Sequence, residues 1–385
     1  MKLQDFCSDI VDCAHKTAPV NESGQYYAVG TPAMRGHVIN YSEARRIGEE
    51  AFEAWTSRLR PKFGDILLAR EAPVGPVVRI PRAENVAPGQ RTVLLRPDPS
   101  RVHSDFLYYY LRSPSCQSEL QVKASGSTVP HLNVADVRAL PMNGVPSMPE
   151  QRAIAEVLGA LDDKIAANEH AVRASQDLMI ALASGTAKRA PLGELAVQST
   201  ASVKPGEFEE RVAHFSLPAF DAGAMPELSN GASIKSNKFR LTCAAVLMAK
   251  LNPRIPRIWD VPSLPDGMSL ASTEFVVLEP IGIPSSALWA SLAQPDVSVE
   301  LSAKVAGTSG SHQRVRPAEM LDLAIGDVRV LPDYVTDSIA SLGEACQQLR
   351  LESRTLEATR DALLPLLMSG KVRVRDVEKL VDEVL

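Results

Sequence analysis

Two ten-residue stretches combine residue types that can do chemistry: KASGSTVPHL at 123–132 and KVAGTSGSHQ at 304–313. In each, a lysine stands three positions ahead of a glycine, hydroxyl residues follow, and a histidine comes near the end. Gly126 and Gly307 are 181 positions apart, and so are His131 and His312. A histidine near a hydroxyl suggests a general base and its nucleophile, but no nucleophile or carboxylate partner repeats with the two histidines. A hydrogen-bonded structural histidine is the better reading. A hydroxyl-rich turn with glycine also offers side-chain and backbone N–H donors to phosphate oxygens, with Lys123 and Lys304 adding charge. The plainer alternative is a structural turn whose hydroxyls cap its own backbone while Leu132 plugs the core. Both remain open, the structural turn being the commoner use of such residues.

Other catalytic signatures are missing from the sequence. It has no G-x-G-x-x-G and no P-loop. It has no G-x-S-x-G elbow. No H-E-x-x-H or histidine cluster is spaced to hold a metal. An Asn/Asp-Pro-Pro-aromatic run, as in amino-methyltransferases, is absent, and the Pro-Asp pairs lack the acid–x–Lys of nucleases. Any catalysis associated with this chain is therefore expected to sit on partners, with no metal or cofactor of its own.

The elements that position the repeated stretches can be read from periodicity. Residues 149–185 place Ile154, Leu158, Leu161, Ile165, Val172, Met179 and Leu182 at alternating steps of four and three, with Asn168 and Ser175 filling the seam. That is a heptad a/d pattern. The same alternation, offset by 181 from Ile154, runs through Val335, Ile339, Leu342, Cys346, Leu349, Ser353, Leu356, Arg360 and Leu363. Pro365 is expected to kink or end the second helix. A heptad helix needs a partner, and the simplest partner for each is the other, packed antiparallel. Ahead of the helices, FGDILLAREAPVGPVVRIP (63–81) reads as strand, turn, strand and matches CAAVLMAKLNPRIPRIW (243–259). RTVLLRPD (91–98) matches the β-rich TEFVVLEP (273–280), and HSDFLYYYLRSP (103–114) matches SSALWASLAQP (285–295) as a short helix. The repeat is too long for a solenoid and gives two copies of one globule-plus-helix unit. The fold class is α+β, with two α/β domains in tandem, each followed by a long helix, the helices forming an antiparallel coiled coil.

The bulk numbers agree with this. At 385 residues, 45% hydrophobic and 23% charged, the chain has room for two or three well-filled domains. Cys7, Cys13, Cys116, Cys243 and Cys346 are scattered without a C-x-x-C, which suggests a reducing, cytoplasmic setting. No run of about 18 apolar residues is present, so no membrane partner is expected. The acids within MKLQDFCSDIVDC are unlike a signal peptide. The net charge of −5 does not by itself advertise nucleic acid. Only residues 1–145 are net positive, 17 basic to 15 acidic.

Four stretches carry a family resemblance: GDILLAR (64–70), TVLLRPDPSRVHSDFLYYYLRS (92–113), GSTVPHLNVADVRALPM (126–142) and PEQRAIAEVLGALDDKIAANE (149–169). The last two are the most distinctive: a small–Ser–Thr turn, a strand with proline, then P-x-Q-x-x-I-x-x-x-L-x-x-x-D. The chain resembles the specificity subunit of type I restriction–modification enzymes. The second half departs, with Cys243-Ala244-Ala245 at the place of Phe63-Gly64-Asp65 and PDYVTDSIASL (332–342) at the place of MPEQRAIAEVL.

The resemblance implies a first target recognition domain over 1–146, a first spacer helix over 147–185, a second domain over 186–333, and a second spacer helix with C-terminal tail over 334–385. It implies a non-catalytic subunit that reads a bipartite target in double-stranded DNA, mainly in the major groove. It also implies methyltransferase subunits using S-adenosylmethionine, and restriction/translocase subunits using ATP and Mg. Such partners would supply much of the phosphate contact, which makes the acidic balance tolerable. Base reading needs Arg, Lys, Asn or Gln at a groove edge. The first domain offers Arg35, Arg45, Arg46, Arg58, Arg60, Lys62, Arg70 and Arg79, interleaved with Tyr26, Tyr27, Tyr41 and Trp55. The second offers Lys235, Lys238, Arg240, Lys250, Arg254 and Arg257, with SNGASIKSNKFR (229–240) reading as a surface loop. Lys123, Ser127, Thr128 and Lys304 would touch phosphate. Each of these is also readable as solvated surface charge. A helix from Glu150 to Ala183 would be roughly 50 Å long, or about 15 base pairs of B-DNA, the gap of a split target. The rival reading is a two-lobed coiled-coil adaptor that binds protein partners and reads no DNA.

Overall fold

The computed structural model describes residues 1–124, 130–253, 255–304 and 314–375. The chain divides into two compact units. One joins Met1–Lys164 to Leu356–Leu385, and the other is the continuous stretch Ile165–Thr355.

The first unit contains β1 (Cys7–Asp12), β2 (Tyr26–Val29), β3 (Arg45–Ile47), α1 (Glu49–Thr56), β4 (Ile66–Arg70), β5 (Val74–Arg79), β6 (Val86–Pro88) and β7 (Thr92–Pro97). Then come α2 (Ser104–Arg112), α3 (Pro114–Ala124), α4 (Val134–Arg138) and the start of α5 (Met148–Ala183). A four-stranded sheet runs β1-β7-β4-β5, all neighbours antiparallel. A small second sheet runs β3-β2-β6. The ILLAR strand is buried along its whole length, so both of its faces are covered and its sequence is a continuous apolar run rather than an alternation. Phe106 through Leu111 on α2 are likewise buried.

The second unit contains the rest of α5, β8 (Arg189–Pro191), α6 (Leu192–Leu195), β9 (Ala196–Ser199), β10 (Ser202–Val203), β11 (Arg211–Phe215), α7 (Leu217–Asp221), β12 (Glu227–Asn230) and β13 (Lys238–Leu241). It continues with β14 (Ala245–Ala249), β15 (Ile258–Val261), β16 (Met268–Ser272), β17 (Phe275–Pro280), α8 (Ser285–Leu292), α9 (Pro295–Ala303), α10 (Pro317–Leu321), β18 (Ala324–Gly326) and α11 (Asp333–Met368). Its four-stranded sheet, β9-β17-β14-β15, has the order of the first unit's sheet, β1-β7-β4-β5. The parallel pair β2–β6 of the first unit has its counterpart in β11–β16, which here belongs to a five-stranded sheet, β10-β13-β16-β11-β12.

The heptad positions face inward. Ile154, Leu158, Leu161, Ile165, Asn168, Val172 and Met179 of α5 are buried. On α11, Ile339, Cys346 and Leu356 are buried, while Val335, Leu342, Leu349 and Leu363 are half-buried. Within the first unit, Arg360 of α11 meets Asp162 of α5 at 2.8 Å. Within the second, the Asn168 amide donates to Glu352 at 2.7 Å, and the Cys346 thiol donates to the Val172 carbonyl at 3.8 Å.

Two local expectations are corrected. Of the kink or end expected at Pro365, the end does not occur: α11 continues past it to Met368. Between His131 and α5 the expected strand with proline is the short helix α4, capped by Asn133 and Asp136, and only an isolated bridge joins Pro141 to Lys2. α3 also extends the ordered helical region beyond the single short helix expected after β7.

Candidate nucleic-acid interface

The first unit's basic candidates fall into three groups. Arg70 and Arg79 are turned inward. Arg70 donates to the Leu132 carbonyl at 3.1 Å and pairs with Asp12 at 3.2 Å. Arg79 pairs with Asp105 at 2.8 Å and lies 4.6 Å from the centre of the Tyr108 ring. Arg46, Arg58 and Arg60 are exposed but engaged. Arg46 donates to the Glu22 carbonyl and lies over Tyr27, which meets Tyr41 edge-on. Arg58 holds the Asp12 and Cys13 carbonyls, and Arg60 pairs with Glu53 over the Phe52 ring. Tyr26 stacks on Phe52 beside Trp55. The third group, Arg35, Arg45 and Lys62, is exposed, and their side chains have no partner among the described residues.

The segment 31–40 has a definite architecture. Ala33 and Met34 are fully buried, and the Asn40 amide closes back onto the Ala33 carbonyl at 2.9 Å. The backbone then reverses through Gly36 at φ 70° and His37 at φ 63°. Gly36 has open space where a side chain would be. The His37 Nδ1 accepts from the Val77 amide of the edge strand β5 at 3.1 Å, and the Tyr108 hydroxyl donates to the His37 carbonyl at 2.9 Å. Burial, reinforced by the charges of Arg112 and Arg360, lowers the His37 pKa to about 4. The imidazole therefore stays neutral at working pH and its Nδ1 remains an acceptor. Sequence reasoning passed over His37. Its signal was the glycine before it, a residue that permits a left-handed turn.

The second unit differs. Lys238 opens β13 rather than standing in a surface loop. It is buried, bonds the Ser236 hydroxyl at 2.6 Å, and burial lowers its pKa. Lys250 is half-buried, and its pKa is likewise lowered by burial. Arg257 makes a two-pronged pair with Asp221 at 2.7 and 3.0 Å. Lys235 donates to the Ala232 carbonyl, and Lys304 sits 3.7 Å from Glu300. Arg240 is exposed and its side chain has no partner among the described residues. Arg254 lies outside the described residues.

Of the repeated stretches, Ser127, Thr128 and His312 lie outside the described residues. Their flanks are visible. The Leu132 amide donates to the Arg70 carbonyl at 2.8 Å, and His131 bridges Glu71. In the second unit the Val315 amide donates to the Lys250 carbonyl at 3.1 Å, and Arg314 bridges Leu251. In both units the chain returns from the stretch to the same strand end. Lys123 closes α3, half-buried and without a side-chain partner among the described residues.

Polar side chains join the first unit's helices. Asp162 accepts from the Tyr109 hydroxyl at 2.7 Å and pairs with Arg112 at 3.1 Å and Arg360 at 2.8 Å. Burial alone would raise its pKa, but the two guanidinium groups and the hydroxyl hold it below the ordinary carboxylate value. Gln151 is buried, caps the His103 amide and donates to the Pro146 carbonyl. These are the glutamine and aspartate of the P-x-Q…D motif, and both tie α5 to its globule. Among the described residues, no three His, Cys, Asp or Glu side chains gather as a metal site requires. Among the same residues, no helix is long and apolar enough to cross a membrane.

Residues 2–174 match the family model of the type I restriction modification DNA specificity domain. No curated protein matches the sequence. Among solved structures, the S subunit of the type I restriction-modification system from M. genitalium aligns over 95% of each chain at 16% identity, with a TM-score of 0.55. The HsdS subunit from Thermoanaerobacter tengcongensis aligns over 97% of this chain and 96% of its own at 15% identity, with a TM-score of 0.35. The chain thus shares its fold with the first of these subunits, and its residues 2–174 are similar to the type I restriction–modification DNA specificity domains.

Proposed function

We propose that this chain is the sequence-specificity subunit of a type I restriction–modification complex. Its two globular parts each read one half of a bipartite DNA target, and α5 and α11 pair antiparallel as the coiled coil that joins them. The chain carries no chemistry of its own. Methyltransferase subunits bring S-adenosylmethionine and methylate adenine, and restriction subunits bring ATP, Mg, translocation and cleavage. The observation that carries the reading is the recurrence of one strand order, β1-β7-β4-β5 and β9-β17-β14-β15, in a chain whose first part matches the specificity-domain model. The pairings Asp162–Arg360 and Asn168–Glu352 support the coiled coil.

The test is methyl transfer by the full chain co-purified with its methyltransferase subunits, on random-sequence DNA, with the modified sites sequenced. The expected result is a motif in two blocks separated by an unread gap. DNA affinity should fall steeply with salt, since phosphate neutralisation releases counterions. A stable complex with neither property would favour the adaptor reading. The observation behind that rival is the second unit, where Lys238, Arg257 and Lys304 are already engaged within the fold.

A further inference from the structure

The three candidate base-reading cations of the first unit whose side chains have no partner among the described residues are not equivalent. Arg45 lies on an edge strand and Lys62 in a connection, whereas Arg35 sits at the tip of a segment fixed from both sides. Ala33 and Met34 anchor one side in the core. His37 anchors the other, with its ring on the β5 backbone and its carbonyl under Tyr108. Between the anchors, Arg35 and Gly36 are exposed, and Val38 beyond them is 62% exposed. Ala33 and Met34 serve the core, but the exposed cation between the anchors has no side-chain partner among the described residues and adds nothing to the fold. The arrangement suits a groove-reading side chain, because a residue whose backbone is already anchored loses less freedom when its guanidinium engages a base edge. Gly36 keeps the tip narrow. Arginine recognises guanine through two parallel hydrogen bonds to O6 and N7 in the major groove.

We propose that Arg35 reads a guanine in one half of the DNA target, with His37 as the residue that positions it. This rests on the specificity reading above. His37 touches no DNA in this scheme. It accepts from the Val77 amide and so holds the turn that aims Arg35. Asparagine can supply an acceptor in the place of Nδ1 and tolerates the left-handed backbone found there, whereas alanine supplies no acceptor.

The test uses the full chain with its methyltransferase subunits, comparing wild type, Arg35→Ala, His37→Ala and His37→Asn by sequencing methylated sites from a random-sequence library. Arg35→Ala should lower the preference for guanine at one position of one half-site by roughly ten- to a hundredfold, the discrimination of one bidentate pair. The other half-site should be unchanged. His37→Ala should relax the same position, and His37→Asn should retain the wild-type motif. A bipartite wild-type motif left intact by Arg35→Ala overturns the proposal and leaves the specificity reading standing. Equal relaxation by His37→Ala and His37→Asn, or none by either, overturns the positioning role. A wild-type complex that methylates without sequence preference overturns both readings.

Discussion

Asp65 is almost wholly buried and takes two hydrogen bonds from Arg96, at 3.0 and 2.7 Å. In the second unit, Ala245 precedes Val246, which pairs with Leu278, just as Asp65 precedes Ile66, which pairs with Leu95. Glu279 stands where Arg96 would be, so neither member of the pair survives in the second copy. The departure of Cys243-Ala244-Ala245 from Phe63-Gly64-Asp65 is thus the loss of an internal ion pair. Leaving one buried charge unpaired is costly, whereas removing both charges is mild. Asp65→Ala should destabilise the first unit by about 3 kcal/mol, and Asp65→Ala with Arg96→Leu should recover most of that, as read by thermal unfolding. The sequence placed these residues in a motif but could not show them paired, because 31 positions separate the partners. Arg70 and Arg79 were illegible for the same reason. Each looks like surface charge until Asp12 and Asp105 are brought beside it by the fold.

At the scale of elements, the sequence was most legible where burial imposes a period. The two long helices, the β4–β5 hairpin and β7 follow from heptads and apolar runs. α3 did not, because its buried stripe is only Cys116, Leu120 and Ala124, Val122 is exposed, and polar contacts with β5 help to place it, such as those of Gln117 and Gln121 with the Gly75 and Val74 carbonyls. A contact in the second unit has its own pH dependence. Asp260 on β15 accepts from Ser285 at 2.7 Å and from Ser286, both at the start of α8, and Gly343 of α11 closes over them where no Cβ could fit. Burial, partly offset by the two hydroxyls, raises the Asp260 pKa from 3.8 to about 6. A raised folded-state value means the group favours the fold below its ordinary pKa, and that contribution is lost as pH rises to about 6. Asp260→Asn should therefore raise stability by about 2 kcal/mol at pH 8 and leave it nearly unchanged at pH 4, as measured by thermal unfolding at both values.

Taken whole, the molecule is discontinuous: Leu356 onward belongs with Met1–Lys164. The seam alternation made both helices legible, but not where a unit ends, because heptads carry no mark of which globule a given turn serves. A chain stopped after Thr355 loses Arg360, leaving Asp162 with Tyr109 and Arg112 among the described residues, and it uncovers part of the α5 seam. Limited proteolysis with mass spectrometry should then find new cleavage within 1–164, with 165–355 as resistant as in the full chain. New cleavage confined to 165–355 would contradict the division.

The same discontinuity orders events on the ribosome. Synthesis delivers the first globule first, yet its closing helix turns come from beyond residue 355. The second unit is one unbroken stretch and has all its parts while those turns are still inside the exit tunnel. The part made first is therefore the part finished last, and until those turns emerge Asp162 waits for Arg360 while the unfinished globule meets whatever holds nascent chains apart.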